Sequence, residues 1–411
     1  MLKVDLALHT LLVNLYLKQK KNYSMKRKLR FGMVGGGKDA FIGSIHRLAA
    51  NMDGKIELVC GMFSINPEIS KESGKELFID DDRVYTSVEE MMSNESKMTS
   101  DKRIDFVTIV TPNFAHFAPA MLALENGFNV LIEKPMTLNL DEAKQLQAKL
   151  AETNLTLCLT HAYTGYPMVK QAKAMCKDGV FGKIKKVYVE YPQGWLSTLT
   201  EREGNAQAAW RTDPKKGGKS GCIGDIGTHA ANLSEYVMGA KITQLCADLH
   251  IMVEGRVIDD DGDVLLRFDN GAKGVLMASQ VAAGEENALK IRVYGEKGGL
   301  EWAQQEPNTL LVKWQNAPAQ IYRTGSGYKH LSPEALHNTR TPGGHPEAFL
   351  EAFANLYRNF ALTISAKLEG ETPKAEWLDF PGIEEGVRGM AFIENVVESA
   401  GMDTKWKDFV I

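Results

Sequence analysis

Three clusters of residues carry side-chain types and spacings that could do chemistry. In Gly224-Asp225-Ile226-Gly227-Thr228-His229, Asp225 and His229 stand four apart and share one face if the segment is helical. An imidazole that titrates near neutral pH, with a carboxylate beside it, is a candidate proton acceptor. Glu133-Lys134-Pro135 and Thr111-Pro112-Asn113-x-x-His116 each close an apolar, strand-like run. In open α/β sheets, ligands bind at the carboxyl ends of parallel strands. A lysine beside a glutamate at such a place is not an ordinary solvated charge, although a structural ion pair is the alternative. A zinc site built on Asp225 and His229 lacks further ligands nearby. Gly217-Gly218-Lys219-Ser220-Gly221 reads as a flexible loop, without the spacing of a phosphate-binding P-loop and without a preceding strand.

A fourth cluster, Gly35-Gly36-Gly37, follows the apolar run LRFGMV. Glycines there let the backbone turn tightly and approach a pyrophosphate seated on a helix N-terminus. A tight structural turn is the competing reading. Gly35 and Gly37 fit G-x-G, but position 40 is Ala and the next glycine is Gly43, so the turn carries a short insertion. An acid after the second strand would bind a ribose 2′-hydroxyl, and an arginine would accept a 2′-phosphate. The stretch Met62-Phe63-Ser64-Ile65-Asn66 has neither. Ser64 becomes the candidate ribose contact, and the lack of a basic residue tilts the choice to NAD, with NADP possible.

The elements that must position these residues alternate regularly. Apolar strands are expected at 29–34, 56–63, 104–110, 128–133 and 155–160. Helices are expected from 43 to 51, 67 to 78, 113 to 127 and 139 to 153, with Ser87 capping another. Such strands belong to a parallel sheet covered on both faces. Beyond about residue 165, KIKKVYVEY alternates, VLLRF and AKGVLMAS flank Asp269-Asn270-Gly271 as a hairpin, and ALKIRVYG repeats the theme with LEW. A mainly antiparallel α+β domain is therefore expected after an N-terminal Rossmann domain. The division is 1–25 as an extension, 26–162 for dinucleotide binding and 163–411 for substrate and oligomerisation.

Composition excludes several classes. The chain has 411 residues, 44% hydrophobic and 24% charged, with net charge −4, as an ordinary globular protein has. No basic stripe points to nucleic acid. Residues 4–17 are apolar but interrupted by Asp5, His9 and Asn14 and followed by KQKKNYS, which argues against a signal peptide, and no segment reads as membrane-spanning. The five cysteines form no CxxC, which fits a reducing cytoplasm and neither a disulfide framework nor a metal site. The run Asp259-Asp260-Asp261-Gly262-Asp263 hints at calcium but lacks an EF-hand context, and a solvated turn is expected instead.

Taken in order, the glycine loop, TPNxxH at 111–116, EKP at 133–135, WR at 210–211 and GDIGTH at 224–229 resemble the glucose–fructose oxidoreductase, inositol dehydrogenase and MocA family over about residues 28–400. AAWRTDP, GCIGDIGTH and VYGEKGGLEWAQ are most similar to its branch of levoglucosan and glucoside dehydrogenases. The resemblance implies that Lys134 lies beside the nicotinamide and the reacting hydroxyl, that Glu133 touches the nicotinamide ribose, and that Pro135 follows a cis bond. It implies that Asp225 and His229 face the substrate with His229 as base. Thr111, Asn113 and His116 would line the cofactor, and Trp210 and Arg211 would close over its nicotinamide end. Tyr163, Gln193 and His345, with Tyr166 and Trp195, are candidate substrate contacts, each with ordinary packing as the alternative.

This chain departs from the family in its longer glycine loop, in Ser64 where an acid is usual, and in Asn232 where Asp often follows the histidine by three. The implied activity is hydride transfer between NAD(P) and a ring hydroxyl of a sugar, sugar derivative or inositol, in a homodimer or homotetramer. A glycosidase using NAD transiently and a non-enzymatic NAD(P)-binding sensor are the competing readings.

Overall fold

A computed structural model of the protein describes residues 25–38 and 40–411. The extension expected over residues 1–25 lies, up to residue 24, outside the described residues. The N-terminal half alternates strand and helix: β1 (Leu29–Val34), α1 (Phe41–Asn51), β2 (Ile56–Met62), α2 (Pro67–Glu76), α3 (Val88–Lys97), β3 (Phe106–Ile109), α4 (Phe117–Glu125), β4 (Asn129–Ile132), α5 (Leu140–Ala151) and β5 (Leu157–Leu159). Local signals set several of these boundaries. The Asn66 and Asn139 side chains accept hydrogen bonds from the first backbone N–H groups of α2 and α5, and Ser87 does so for α3. The helix expected from 113 is split. Asn113–Ala115 makes a 3₁₀ turn before α4 starts at Phe117.

All pairings in the first sheet are parallel, in the order β2-β1-β3-β4-β5. The order reverses direction between β1 and β3, and the crevice outside the strand ends there is where such folds bind nucleotides. β3 and β4 are buried throughout, as strands covered on both faces must be.

The chain continues through α6 (Pro167–Lys177), β6 (Lys186–Pro192), α7 (Ala206–Arg211), α8 (Pro214–Gly217), a π turn at Ile223–Gly227 and α9 (Thr228–Met238). Then follow β7 (Ile242–His250), β8 (Asp261–Phe268), β9 (Lys273–Ser279), β10 (Lys290–Tyr294), β11 (Gly298–Ala303), β12 (Thr309–Trp314) and β13 (Gln320–Arg323). It ends in α10 (Pro333–His337), α11 (Phe349–Leu368), α12 (Ile383–Ala400) and β14 (Lys407–Asp408). The second sheet has the order β13-β12-β11-β10-β6-β9-β8-β7-β14. Its neighbours are antiparallel except β6 with β9, so the sheet is mixed but mainly antiparallel. Alternation of buried and open positions along β8 and β9 puts one face against α6 and α9.

The two halves are not independent beads. Phe353, Leu356, Tyr357 and Phe360 of α11 pack on the first sheet with Phe31 and Phe106, while Val387, Met390 and Ala391 of α12 join the core on its other side. Helices from beyond residue 163 thus clamp both faces of the nucleotide-type sheet, which holds the site between the halves in one geometry. Among the described residues, no helix is long and apolar enough to cross a membrane.

Candidate active site

The glycine loop is shaped for a close-approaching anion. Gly35 and Gly36 have φ of +83° and +71°, conformations that side chains disfavour. A Cβ on Gly36 would come within 2.8 Å of Val110 Cγ2. Gly43, in the first turn of α1, is the third glycine of the motif. A Cβ there would lie 2.4 Å from the Cα and O of Gly36, so the insertion moves that glycine along the chain and keeps the tight loop-to-helix packing. Arg47 Nη1 fixes the loop by donating to Gly36 O at 2.5 Å. No side chain among the described residues caps the start of α1, which leaves its N–H groups for a phosphate. Gly37 is different. It is buried, donates to Phe63 O, and has no room for a Cβ beside Ser73 Oγ, so it packs the loop and does not line the cavity.

A cavity of about 1160 Å³ runs from this loop into the second half of the chain. Its wall includes Gly35, Gly36, Ser64, Thr111, Asn113, Glu133, Lys134, Tyr163, Trp210, Arg211, Asp225 and His229. His116 is not on that wall. It is buried, with Nδ1 2.8 Å from Pro135 O and Nε2 2.7 Å from Thr111 O. It ties two strand ends together instead of lining a cofactor. The Lys134–Pro135 peptide is cis. Gln193 lies one layer back, and His345 is exposed on a loop and is not on the wall of the cavity.

At the deep end, Lys134 Nζ donates to Asp225 Oδ1 at 2.8 Å and to Asp225 O at 3.0 Å. The other carboxylate oxygen of Asp225 accepts from Gln280 Nε2 at 2.9 Å and lies 3.3 Å from Arg211 Nε. Burial raises the Asp225 pKa, but the Lys134 and Arg211 charges outweigh that and hold the carboxyl below its ordinary range. Glu133 is the counterpart on the other side of Lys134. It accepts from Thr160 Oγ1 at 2.5 Å and pairs with His46 Nε2 at 2.8 Å. Burial opposes its charge, yet the hydrogen bond and charge of His46 bring its pKa down to about 2. His46 is in turn held by Tyr357 OH at 2.8 Å, so α11 reaches into the base of the site.

His229 faces the cavity with its Nδ1 3.3 Å from Nδ1 of His161. Burial, then the Lys134 charge and His161, push its pKa well below 6.5, against the raising effect of Asp225. Burial with Lys134 takes His161 to about 3. Both rings are therefore neutral at pH 7. The unfolded chain binds protons on them near 6.5, whereas the folded chain does not until lower pH, so stability is flat above 6.5 and lost as pH falls below it. For His161 the loss at pH 5 is about 2 kcal/mol. We expect the melting temperature to fall between pH 7 and pH 5, and to fall less in His161→Phe. Equal acid sensitivity in the variant would contradict the assignment.

The π turn and α9 that carry Asp225 and His229 are anchored by residues read from sequence as a solvated turn. Asp259 is buried and accepts from Gly221 N, Ile223 N and Ser220 Oγ at 2.8–3.0 Å. Asp260 is buried too, accepting from Met252 N, Val253 N and Arg256 Nη1. For Asp259 and Asp260 the expected solvated turn is thus corrected to a buried brace, while Asp261 and the exposed Asp263 belong to β8. The loop expected to be flexible at 217–221 is tied down by this brace, with Ser220 Oγ accepting from Gly224 N. Asp259 looks solvated when read locally because its hydrogen-bond donors lie more than thirty residues earlier. Among the described residues, no group of three or more His, Cys, Asp or Glu side chains could hold a metal ion.

Family models agree with both halves. Residues 29–161 match the oxidoreductase family model with an NAD-binding Rossmann fold, and residues 169–301 match the GFO/IDH/MocA C-terminal domain. An uncharacterised oxidoreductase of Bacillus subtilis, YfiI, is 32% identical over 94% of this chain and 98% of its own length. The chain belongs to the GFO/IDH/MocA family. It is an NAD-binding oxidoreductase of that family. An inositol dehydrogenase homologue from Azotobacter vinelandii, solved with NAD+, superposes with a TM-score of 0.88 at 36% identity, covering 94% of this chain and 98% of that one. The levoglucosan dehydrogenase of Pseudarthrobacter phenanthrenivorans is 25% identical over 71% of this chain and 78% of its own.

Proposed function

We propose that this GFO/IDH/MocA protein is an NAD-dependent dehydrogenase acting on a ring hydroxyl of a sugar, sugar derivative or inositol. The observation that carries the reading is Lys134 bonded to Asp225 beside a neutral His229, at the far end of a cavity that begins at a phosphate-shaped glycine loop. The names of its relatives, an inositol dehydrogenase homologue and a levoglucosan dehydrogenase, support the substrate class. The five cysteines are unpaired, which supports a reducing, cytoplasmic setting.

Bound NAD supplies the hydride acceptor for the carbinol carbon. The chain's own residues manage the proton. His229 Nε2 makes no hydrogen bond among the described residues and can take the hydroxyl proton as the C–H electrons leave. The Lys134 ammonium stabilises the oxygen as its negative charge grows, and the product is the ring ketone. Asp225 keeps Lys134 aimed. Because the His229 pKa lies below 6.5, oxidation should show no acid limb at 6.5 arising from this base.

Ser64 lines the cavity at the end of β2, where its Oγ accepts from Asn66 N. Ser64→Arg should improve kcat/KM with NADP relative to NAD by about tenfold or more, since a guanidinium accepts a 2′-phosphate. An unchanged ratio would remove Ser64 from the ribose site.

The test of the function is absorbance of the reduced nicotinamide. Purified protein is mixed with NAD or NADP and a panel of pyranoses, anhydrosugars, glycosides and inositols. A rise with a narrow set of polyols supports the proposal. Release of an aglycone without a rise would replace it with an NAD-dependent glycosidase. Cofactor binding with neither would replace it with a sensor.

A further inference from the structure

A chain of side-chain amides leads from Asp225 to the open loop between β9 and β10. Its polarity is fixed by groups whose roles admit no choice. The indole of Trp195 can only donate, so the Gln193 atom 3.0 Å from Trp195 Nε1 must be Oε1. The other end of Gln193 is then its NH2 group. It lies 2.7 Å from the Asn287 side chain, which must present Oδ1 to it. Tyr191 OH donates to the same Oδ1 at 3.1 Å. At the opposite end, Gln280 Nε2 donates to the ionised Asp225 carboxylate and, at 3.5 Å, to Gln193 Oε1. Indole and carboxylate therefore agree on the direction of the whole chain. With its oxygen turned inward, Asn287 has its NH2 group left over, and Asn287 lines the cavity.

We infer that Asn287 is a specificity-determining hydrogen-bond donor that reads a second oxygen of the substrate, one held away from the oxygen at His229. This rests on the dehydrogenase reading and deepens it. The Tyr191 ring separates the two points, its centroid 5.8 Å from that of His229 while its hydroxyl reaches Asn287. A ligand that touches both must carry two oxygens set well apart on its skeleton. A cyclic polyol or pyranose does so, whereas a short linear 2-hydroxy acid does not. Gln193 and Trp195 act through Asn287 as positioning residues.

The experiment uses deoxyfluoro analogues, because fluorine accepts a hydrogen bond and cannot donate one. Fluorinated D-glucoses and fluorinated myo-inositols are compared with their parents for the wild type, Asn287→Asp and Gln193→Glu. Both variants should still bind NADH. In the wild type, one fluorinated position is tolerated, with kcat/KM within about tenfold of the parent. In Asn287→Asp, that analogue should lose at least about tenfold more than the parent does, because a carboxylate offers it no donor. Gln193→Glu cannot donate to Asn287, so the Asn287 amide turns to donate to it and shows its oxygen to the cavity. The same analogue should then be lost selectively. A structural role would lower all substrates alike, and that outcome overturns the inference, as does no change in Asn287→Asp. If the wild type neither oxidises nor binds any parent polyol, the dehydrogenase reading itself fails and takes this inference with it. Turnover of parents without position-selective loss overturns the inference alone.

Discussion

Lys134→Met should cut kcat for polyol oxidation by about 10³-fold, and His229→Ala by about 10²–10⁴-fold, while NADH still binds. The two losses have different origins. Met keeps the length of the lysine stem, so the wall of the cavity is preserved and the charge alone is removed. Asp225 then loses a partner at 2.8 Å but retains Gln280 and Arg211, which keeps the π turn seated. His229→Ala removes the proton acceptor and leaves Lys134 and Asp225 paired. Because the two residues serve one step, the double variant should be little worse than the weaker single variant, as for groups that act as a unit. Turnover by stopped-flow and NADH binding by fluorescence separate the effects. Near-normal turnover in both single variants would remove the pair from the reaction, and lost NADH binding would show a structural role instead.

Much of this site was legible in the sequence because its parts sit where regular elements end. Thr111, Glu133 and Lys134 follow β3 and β4, two short apolar runs whose parallel pairing is implied by the alternation with helices. Asp225 and His229 come from one short motif. What could not be read is what joins these parts across the chain. His46 looks like an ordinary helix residue, yet its partner Glu133 is 87 positions away. His161, in Thr160-His161-Ala162-Tyr163, carries no local sign that it meets His229. His116 falls in a motif expected to line the cofactor, whereas its ring is buried between two carbonyl oxygens, to one of which the neutral imidazole donates. The acids at 259 and 260 look solvated for a similar reason. A local reading sees charge and turn, and burial is decided by the loop at 220–223 and the one at 252–256. The helices α11 and α12 show the limit at the scale of domains: nothing in their local sequence says that they pack on a sheet built some 200 residues earlier.

The glycine loop supplies the other large expected effect. Gly43→Val should weaken NADH binding by about 100-fold or more, and Gly43→Ala should already cost a substantial part of that. The first atoms a Cβ would meet are the backbone Cα and O of Gly36 at 2.4 Å, with the carbonyl carbon at 2.8 Å. Backbone cannot swing aside as a side-chain tip can. Either α1 moves off the sheet or the loop opens, and both displace the N–H groups that would hold a pyrophosphate. Overpacking of this kind costs about 1–3 kcal/mol, and 2.7 kcal/mol corresponds to about 100-fold in affinity. Gly389→Ala is the matching control. It lies in α12, where a Cβ meets nothing within 4 Å, so it should bind NADH normally and melt slightly higher. The contrast carries the assignment of Gly43 as the third glycine of the motif. If Gly43→Ala binds NADH as tightly as Gly389→Ala, then the short insertion after Gly37 has relieved the close packing, and the loop must cradle the phosphates in some other way.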